Sequence, residues 1–279
     1  MQKQMTPEPD VDTEVGIDEE EPGTVEVEAE GPRRRGIYLL PNLITSAGLF
    51  CGFYAIVAAI TARYQLAAIA VFAAMVADGL DGRVARWTHT ESAFGKEYDS
   101  LADMVSFGLA PALVMYEWSL HSMTDYGPIW GKVGWMGAFI YAVCASLRLA
   151  RFNVRAGTID KRYFQGLPSP AAAGILAGAV WFADNFDVPG SALIIPAYAI
   201  TVGAGILMVS SIGYYSFKDL KLQKKVPFTV LLLVPAIIVV VVLSPPNVLF
   251  LGFLGYAVSG LAMALWRLHK RLGKKAPQP

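Results

Sequence analysis

The stretch Val76-Ala-Asp78-Gly-Leu-Asp81-Gly82-Arg83-Val-Ala85-Arg86, followed after eight residues by Gly95-Lys-Glu-Tyr-Asp99-Ser-Leu-Ala-Asp103, decides how this chain is read. It places four carboxylates where one long apolar run ends and the next begins. At about 100° per residue, Asp78 and Asp81 lie about 60° apart on a helix and share their face with Gly82 and Ala85. Asp99 and Asp103 lie about 40° apart on the following helix, with Gly95 one turn before them. Each helix therefore offers a carboxylate pair on one stripe, and the short connection folds the two pairs toward each other.

The surroundings are those of a membrane protein. Hydrophobic residues make up 54% of the chain, charged residues only 16%, and mean hydropathy is +0.45. A soluble enzyme of this length would expose far more charge. A spanning helix needs roughly 20 apolar residues, and eight candidates occur, at 40–62, 65–86, 98–117, 132–152, 168–184, 191–213, 226–243 and 247–266. The expected fold is therefore an all-α integral membrane bundle of about eight transmembrane helices. Its catalytic part covers residues 32–270, between an acidic disordered tail at 1–31 and a basic tail at 271–279. The first tail is rich in Glu, Asp, Pro and Gly and lacks the apolar core of a signal peptide.

The net charge of zero conceals segregation. Lys and Arg crowd alternate connections: 33–35, 83–96, 148–162, 218–225 and 267–275. The opposite set holds only Arg63 and Lys132. Positive residues accumulate on the cytoplasmic side, so both termini and the four Asp are expected to face the cytoplasm, with an even number of spans. Cys51 and Cys144 sit in apolar runs and read as small buried hydrophobes. Asn42, after Pro41, reads as a cap of the first helix. Trp87, Trp118, Trp130, Trp135 and Trp266 read as interfacial anchors, and His89, His121 and His269 are assigned no role.

Four mutually repelling anions near hydrocarbon call for a cation between them. Hard oxygen donors in this number suit Mg²⁺, Mn²⁺ or Ca²⁺, and carboxylates shared across two helices suit a pair of ions. Gly82, Ala85 and Gly95 remove bulk where a ligand approaches the backbone, and Arg86 can make paired bonds to a phosphate. An anionic diphosphate bridging metal ions fits such a cavity. An ion-coupled transporter is the competing class, but transporters hold their coupling sites near the midplane on broken helices, whereas these Asp lie toward one face.

The pattern Asp-x-x-Asp-Gly-x-x-Ala-Arg, eight residues, Gly-x-x-x-Asp-x-x-x-Asp resembles the signature of the CDP-alcohol phosphatidyltransferase family, matched from Asp78 to Asp103 at every fixed position. Within that family the phosphatidylserine synthases are similar in Leu40-Pro-Asn42, in Ser106-Phe-Gly-Leu-Ala-Pro111, in Leu147-Arg-Leu-Ala-Arg-Phe-Asn153 and in Phe164-Gln-Gly-Leu-Pro-Ser-Pro170. The resemblance implies transfer of a phosphatidyl group from CDP-diacylglycerol to L-serine, with Mg²⁺ or Mn²⁺, two ions in all. It implies that Asp78, Asp81 and Asp99 ligate one ion, that Asp78, Asp99 and Asp103 ligate the other, and that Asp103 is also the general base. Gly82, Arg86 and Gly95 would hold the cytidine diphosphate. Glycerol 3-phosphate or an inositol phosphate is the alternative acceptor.

Serine brings a carboxylate, for which Arg148 and Arg151, and beyond them Arg155, are the candidate cations. The same arginines could instead bind lipid phosphate or set topology. The further expectations are a homodimer in the cytoplasmic (inner) membrane, surrounded by membrane lipids and without a nucleic-acid partner.

Overall fold

The computed structural model describes residues 39–88, 90, 92–155, 163–215, 235 and 239–273. The acidic stretch 1–31 and most of the expected span 226–243 lie outside them. Apolar runs rich in Ala, Leu, Ile and Gly become helices because lipid offers the backbone no other hydrogen-bond partner. Helix α1 is Leu39–Ile60 and α2 is Tyr64–Thr88. They are joined by a tight turn in which Ala62 adopts φ 56. Ser92 caps α3, Ala93–Asp103, by accepting a hydrogen bond from the Gly95 amide at 3.0 Å. A π-helical turn, Met104–Leu109, carries the chain without a break into α4, Ala110–Trp118.

Next come a 3₁₀ segment, Leu120–Tyr126, and α5, Pro128–Arg155. The strand β1, Tyr163–Gln165, precedes α6, Ser169–Asn185, and α7, Ile194–Val209, is followed by β2, Gly213–Tyr215. Helical residues 239–243 lead to α8, Pro245–Gly273. The two strands pair antiparallel, Phe164 opposite Tyr214, a ribbon that an all-helical reading does not contain. It clips the connection after α5 to the end of α7. Gly166 permits this by adopting φ +82, where an added Cβ would stand 2.1 Å from the Met208 carbonyl oxygen.

Among the described residues five helices are long and apolar enough to cross a membrane: Leu40–Ile60, Tyr64–Thr88, Pro128–Val154, Gly190–Val209 and Pro245–Arg267. The third expected span coincides with the continuous helical stretch 93–118, and the fifth with α6. Apolar residues on the outer faces are left bare, Phe50 at 67% exposure and Ile195 at 83%, as lipid contact requires. Much of the core is built from small residues. Ala55, Ala67, Val71, Ala172, Ala173 and Ala177 are all buried, so the helix backbones approach closely.

The structure corrects three expectations from the sequence. Asn42 is no cap, because α1 already begins at Leu39. The break expected through residue 97 closes by Ser92, whose side chain caps an α3 that carries Asp99 and ends on Asp103. Trp118 is no interfacial anchor. Only 7% of it is exposed, packed where Gly190 leaves room against it. Cys51 and Cys144, expected to be buried, are free and only half-buried.

Candidate metal centre

The acidic helices are held together by α1. Its Gly48 faces Ala77, where an added Cβ would lie 3.3 Å from the Ala77 Cβ, so α1 and α2 touch beside Asp78. Its Gly52 meets the π turn, where a Cβ would fall 2.8 Å from the Ser106 Cα, an approach only glycine allows. Ser106 donates to the Gly48 carbonyl at 3.2 Å. The π turn loosens the regular ladder. The fully buried Tyr141 of α5 donates to its Phe107 carbonyl at 3.0 Å. Those contacts fix the register of α3, and with it the direction of Asp99 and Asp103.

Asp78, Asp99 and Asp103 each offer a carboxylate oxygen within 4.8 Å of the others, and all three are half-buried. Together with Asp81 they line a small half-open pocket, completed by Thr45, Gly48, Leu49, Ala74, Ala102, Ser106 and Phe107. Asp81 stands differently from the other three. It is 5% exposed, accepts a hydrogen bond from the Thr45 hydroxyl at 2.7 Å through Oδ2, and takes the Gly82 amide through Oδ1. Each of its oxygens keeps a lone pair for a further partner. Three converging hard oxygen donors and a fourth carboxylate in the same wall fit a hard divalent cation.

The residues expected to hold a nucleotide flank this cavity without lining it. A Cβ at Gly82 would meet only the Arg86 guanidinium, at 3.8 and 4.0 Å, so the backbone there is open and a cation lies beside it. At Gly95 a Cβ would meet Ser92 Oγ at 3.1 Å and Asn42 Oδ1 at 3.3 Å. Asn42, whose polar atom reaches across to α3, is a neighbour that the capping argument missed. The Leu40-Pro-Asn42 resemblance was its only signal. Thr45 and Ser46 carried no signal at all. Ser46 bonds the Tyr98 hydroxyl at 2.8 Å, next to Asp99.

The three arginines of α5 separate. Arg148 lies within electrostatic range of Asp103, Tyr141 and Tyr256, and it donates to Ser169 at the start of α6. Arg151 is spent elsewhere, on the Val209 carbonyl at 3.2 Å and on Gln165 of the ribbon. Arg155 is the last residue of α5. Asn153 ties that end of α5 to α3 by donating to Ser100 Oγ at 3.0 Å.

Comparison with known proteins agrees with this geometry. The sequence profile of the CDP-alcohol phosphatidyltransferase family matches residues 38–209. The chain belongs to that family. It is 36% identical over 203 residues to the CDP-diacylglycerol–serine O-phosphatidyltransferase of Helicobacter pylori, covering 73% of this chain and 83% of the relative. It is 40% identical over 190 residues to the enzyme of that name from Mycobacterium tuberculosis, covering 64% and 62%. It is also 34% identical over 177 residues to an archaetidylserine synthase of Methanothermobacter thermautotrophicus, covering 63% and 69%. The matched region runs from the start of α1 to the end of α7, so this phosphatidyltransferase keeps the whole acidic centre within the shared part.

Proposed function

We propose that the protein transfers the phosphatidyl group of CDP-diacylglycerol to the hydroxyl of L-serine, releasing CMP. The observation that carries this reading is the meeting of Asp78, Asp99 and Asp103 within 4.8 Å, beside Asp81, in a member of the CDP-alcohol phosphatidyltransferase family. The names of the relatives support serine in particular. They agree on serine as acceptor and differ in the lipid, diacylglycerol in two and archaetidyl in the third.

In this reading two divalent ions, Mg²⁺ or Mn²⁺, are held by Asp78, Asp81 and Asp99 and by Asp78, Asp99 and Asp103. Bound there, they supply neutralisation of the diphosphate and of the charge that develops on CMP. Gly82 gives the nucleotide an open backbone to lie against, Arg86 offers its guanidinium to phosphate, and Gly95 receives the other side. Asp103 accepts the serine hydroxyl proton as that oxygen bonds to the lipid-bearing phosphorus and the bond to CMP breaks. Catalysis is then mostly positioning and electrostatics. A lipid donor accounts for a site within the bilayer, and the positive clusters of the alternate loops support an opening and both termini on the cytoplasmic side of the inner membrane. Eight spans and a homodimer complete the reading.

The direct test is release of CMP from labelled CDP-diacylglycerol with serine, glycerol 3-phosphate or an inositol phosphate as acceptor. Serine alone should support turnover, and turnover with another acceptor but not with serine would replace this assignment.

Arg148, rather than Arg151, is the better partner for the serine carboxylate, because it is the arginine within electrostatic range of Asp103, while Arg151 is engaged by Val209 and Gln165. Arg148→Lys keeps the charge and loses the planar fork. It is expected to raise the serine KM well above any change in the CDP-diacylglycerol KM, measured by steady-state kinetics with each substrate varied in turn. Equal losses for both substrates would assign Arg148 to lipid phosphate or to the fold.

A further inference from the structure

The carboxylate that stands apart from the converging three is held by a residue with no assigned part in the chemistry. Thr45 sits on α1, thirty-six residues before Asp81, and is itself only 5% exposed. A threonine inside a helix ordinarily returns its hydroxyl to the carbonyl four residues back, and Thr45 Oγ1 does lie 3.1 Å from the Pro41 oxygen. Asp81 Oδ2 is nearer, at 2.7 Å. A hydroxyl has one proton, and a carboxylate is the stronger acceptor at the shorter distance, so the proton goes to Asp81. Branching at Cβ stiffens the side chain and keeps the hydroxyl aimed.

Asp81 has few ways to turn. The Gly82 amide engages Oδ1, Thr45 engages Oδ2, and its surroundings are closed. The next residue of α1 makes the matching link to the other acidic helix, since Ser46 bonds Tyr98, which precedes Asp99. Adjacent positions of α1 thus reach both halves of the acidic centre. Partners of this kind orient ligating carboxylates, and their loss weakens metal binding although they never touch the ion.

We propose that Thr45 is a positioning residue, which holds the Asp81 carboxylate in the orientation that completes the divalent-cation site. This inference rests on the metal-centre reading and refines it.

The test uses the full chain in detergent or nanodiscs, with Mn²⁺ alone as probe and unbound Mn²⁺ measured by electron paramagnetic resonance. Thr45→Val preserves shape and removes the donor. It is expected to weaken Mn²⁺ binding about 10- to 100-fold, while Thr45→Ser, which restores the hydroxyl, binds close to the parent chain. In an Asp81→Asn background the Val substitution should add little further loss, since Thr45 acts through that carboxylate. A merely structural role would cost the same in both backgrounds and would move thermal unfolding of the metal-free protein rather than affinity. If Thr45→Val does not insert, Thr45→Ala carries the same comparison. Parent-like Mn²⁺ affinity in Thr45→Val or Thr45→Ala, with Asp81→Asn weakened, would overturn the role of Thr45 alone. A parent chain that binds no Mn²⁺ would remove the metal-centre reading and this inference with it.

Discussion

Asp103→Asn is expected still to bind CDP-diacylglycerol and metal, weakened only as the loss of one ligand requires, while kcat at saturating metal falls by about 10² to 10⁴, the usual scale for losing general-base catalysis. The amide keeps the size of the carboxylate and much of its hydrogen bonding but accepts no proton. Asp78→Asn is expected to fail in a different way. Asp78 is the member of the converging trio contributed by α2, opposite Asp99 and Asp103 of α3. In the two-ion reading both ions share it, so its loss should remove nucleotide binding together with turnover, because the diphosphate is held through the ions. Equilibrium binding of the nucleotide to each purified variant, beside single-turnover CMP release, separates the two. Retention of most of kcat in Asp103→Asn, or loss of metal and nucleotide binding as complete as in Asp78→Asn, would reduce Asp103 to one more ligand.

Removal of divalent ions should have an equally large effect. Three carboxylate oxygens within 4.8 Å, with a fourth carboxylate in the same cavity wall, repel one another strongly where water is scarce. Excess EDTA is expected to abolish CMP release, and added Mn²⁺ or Mg²⁺ to restore it without refolding. The metal-free protein should also unfold at a lower temperature than the loaded one, since a ligand that binds only the folded state stabilises it by mass action. Full turnover in excess EDTA would end the metal-site reading. Restoration by one ion and not by the other would identify the ion in use.

The acidic centre was legible in the chain because it depends on short-range periodicity. Two Asp three apart and two Asp four apart, each with small neighbours, declare a helix face wherever a helix forms. The apolar runs on either side say that helices must form, since lipid permits little else to an unpaired backbone. Membrane residence, the pairing of Asp78 and Asp81 with Asp99 and Asp103, the suitability of a divalent ion and the family resemblance all follow from those two patterns.

Tertiary structure decided what lies between the helices. No periodicity links Thr45 to Asp81, Ser46 to Tyr98 or Asn42 to Gly95, because each contact depends on how α1 is rotated and how closely its glycines let it approach. The same holds for the arginines of α5. Arg148 and Arg151 are three residues apart and equivalent as charges, yet one lies within electrostatic range of Asp103 and the other is bound to the β1–β2 ribbon and the end of α7. That ribbon pairs residues fifty positions apart in polar connections, and the π turn after Asp103 depends on the buried Tyr141 and on Gly52 for its register. Local sequence dictates which groups a helix face can present. Only packing between distant segments dictates which groups meet, because that choice is made by shape and by hydrogen bonds that no single segment contains.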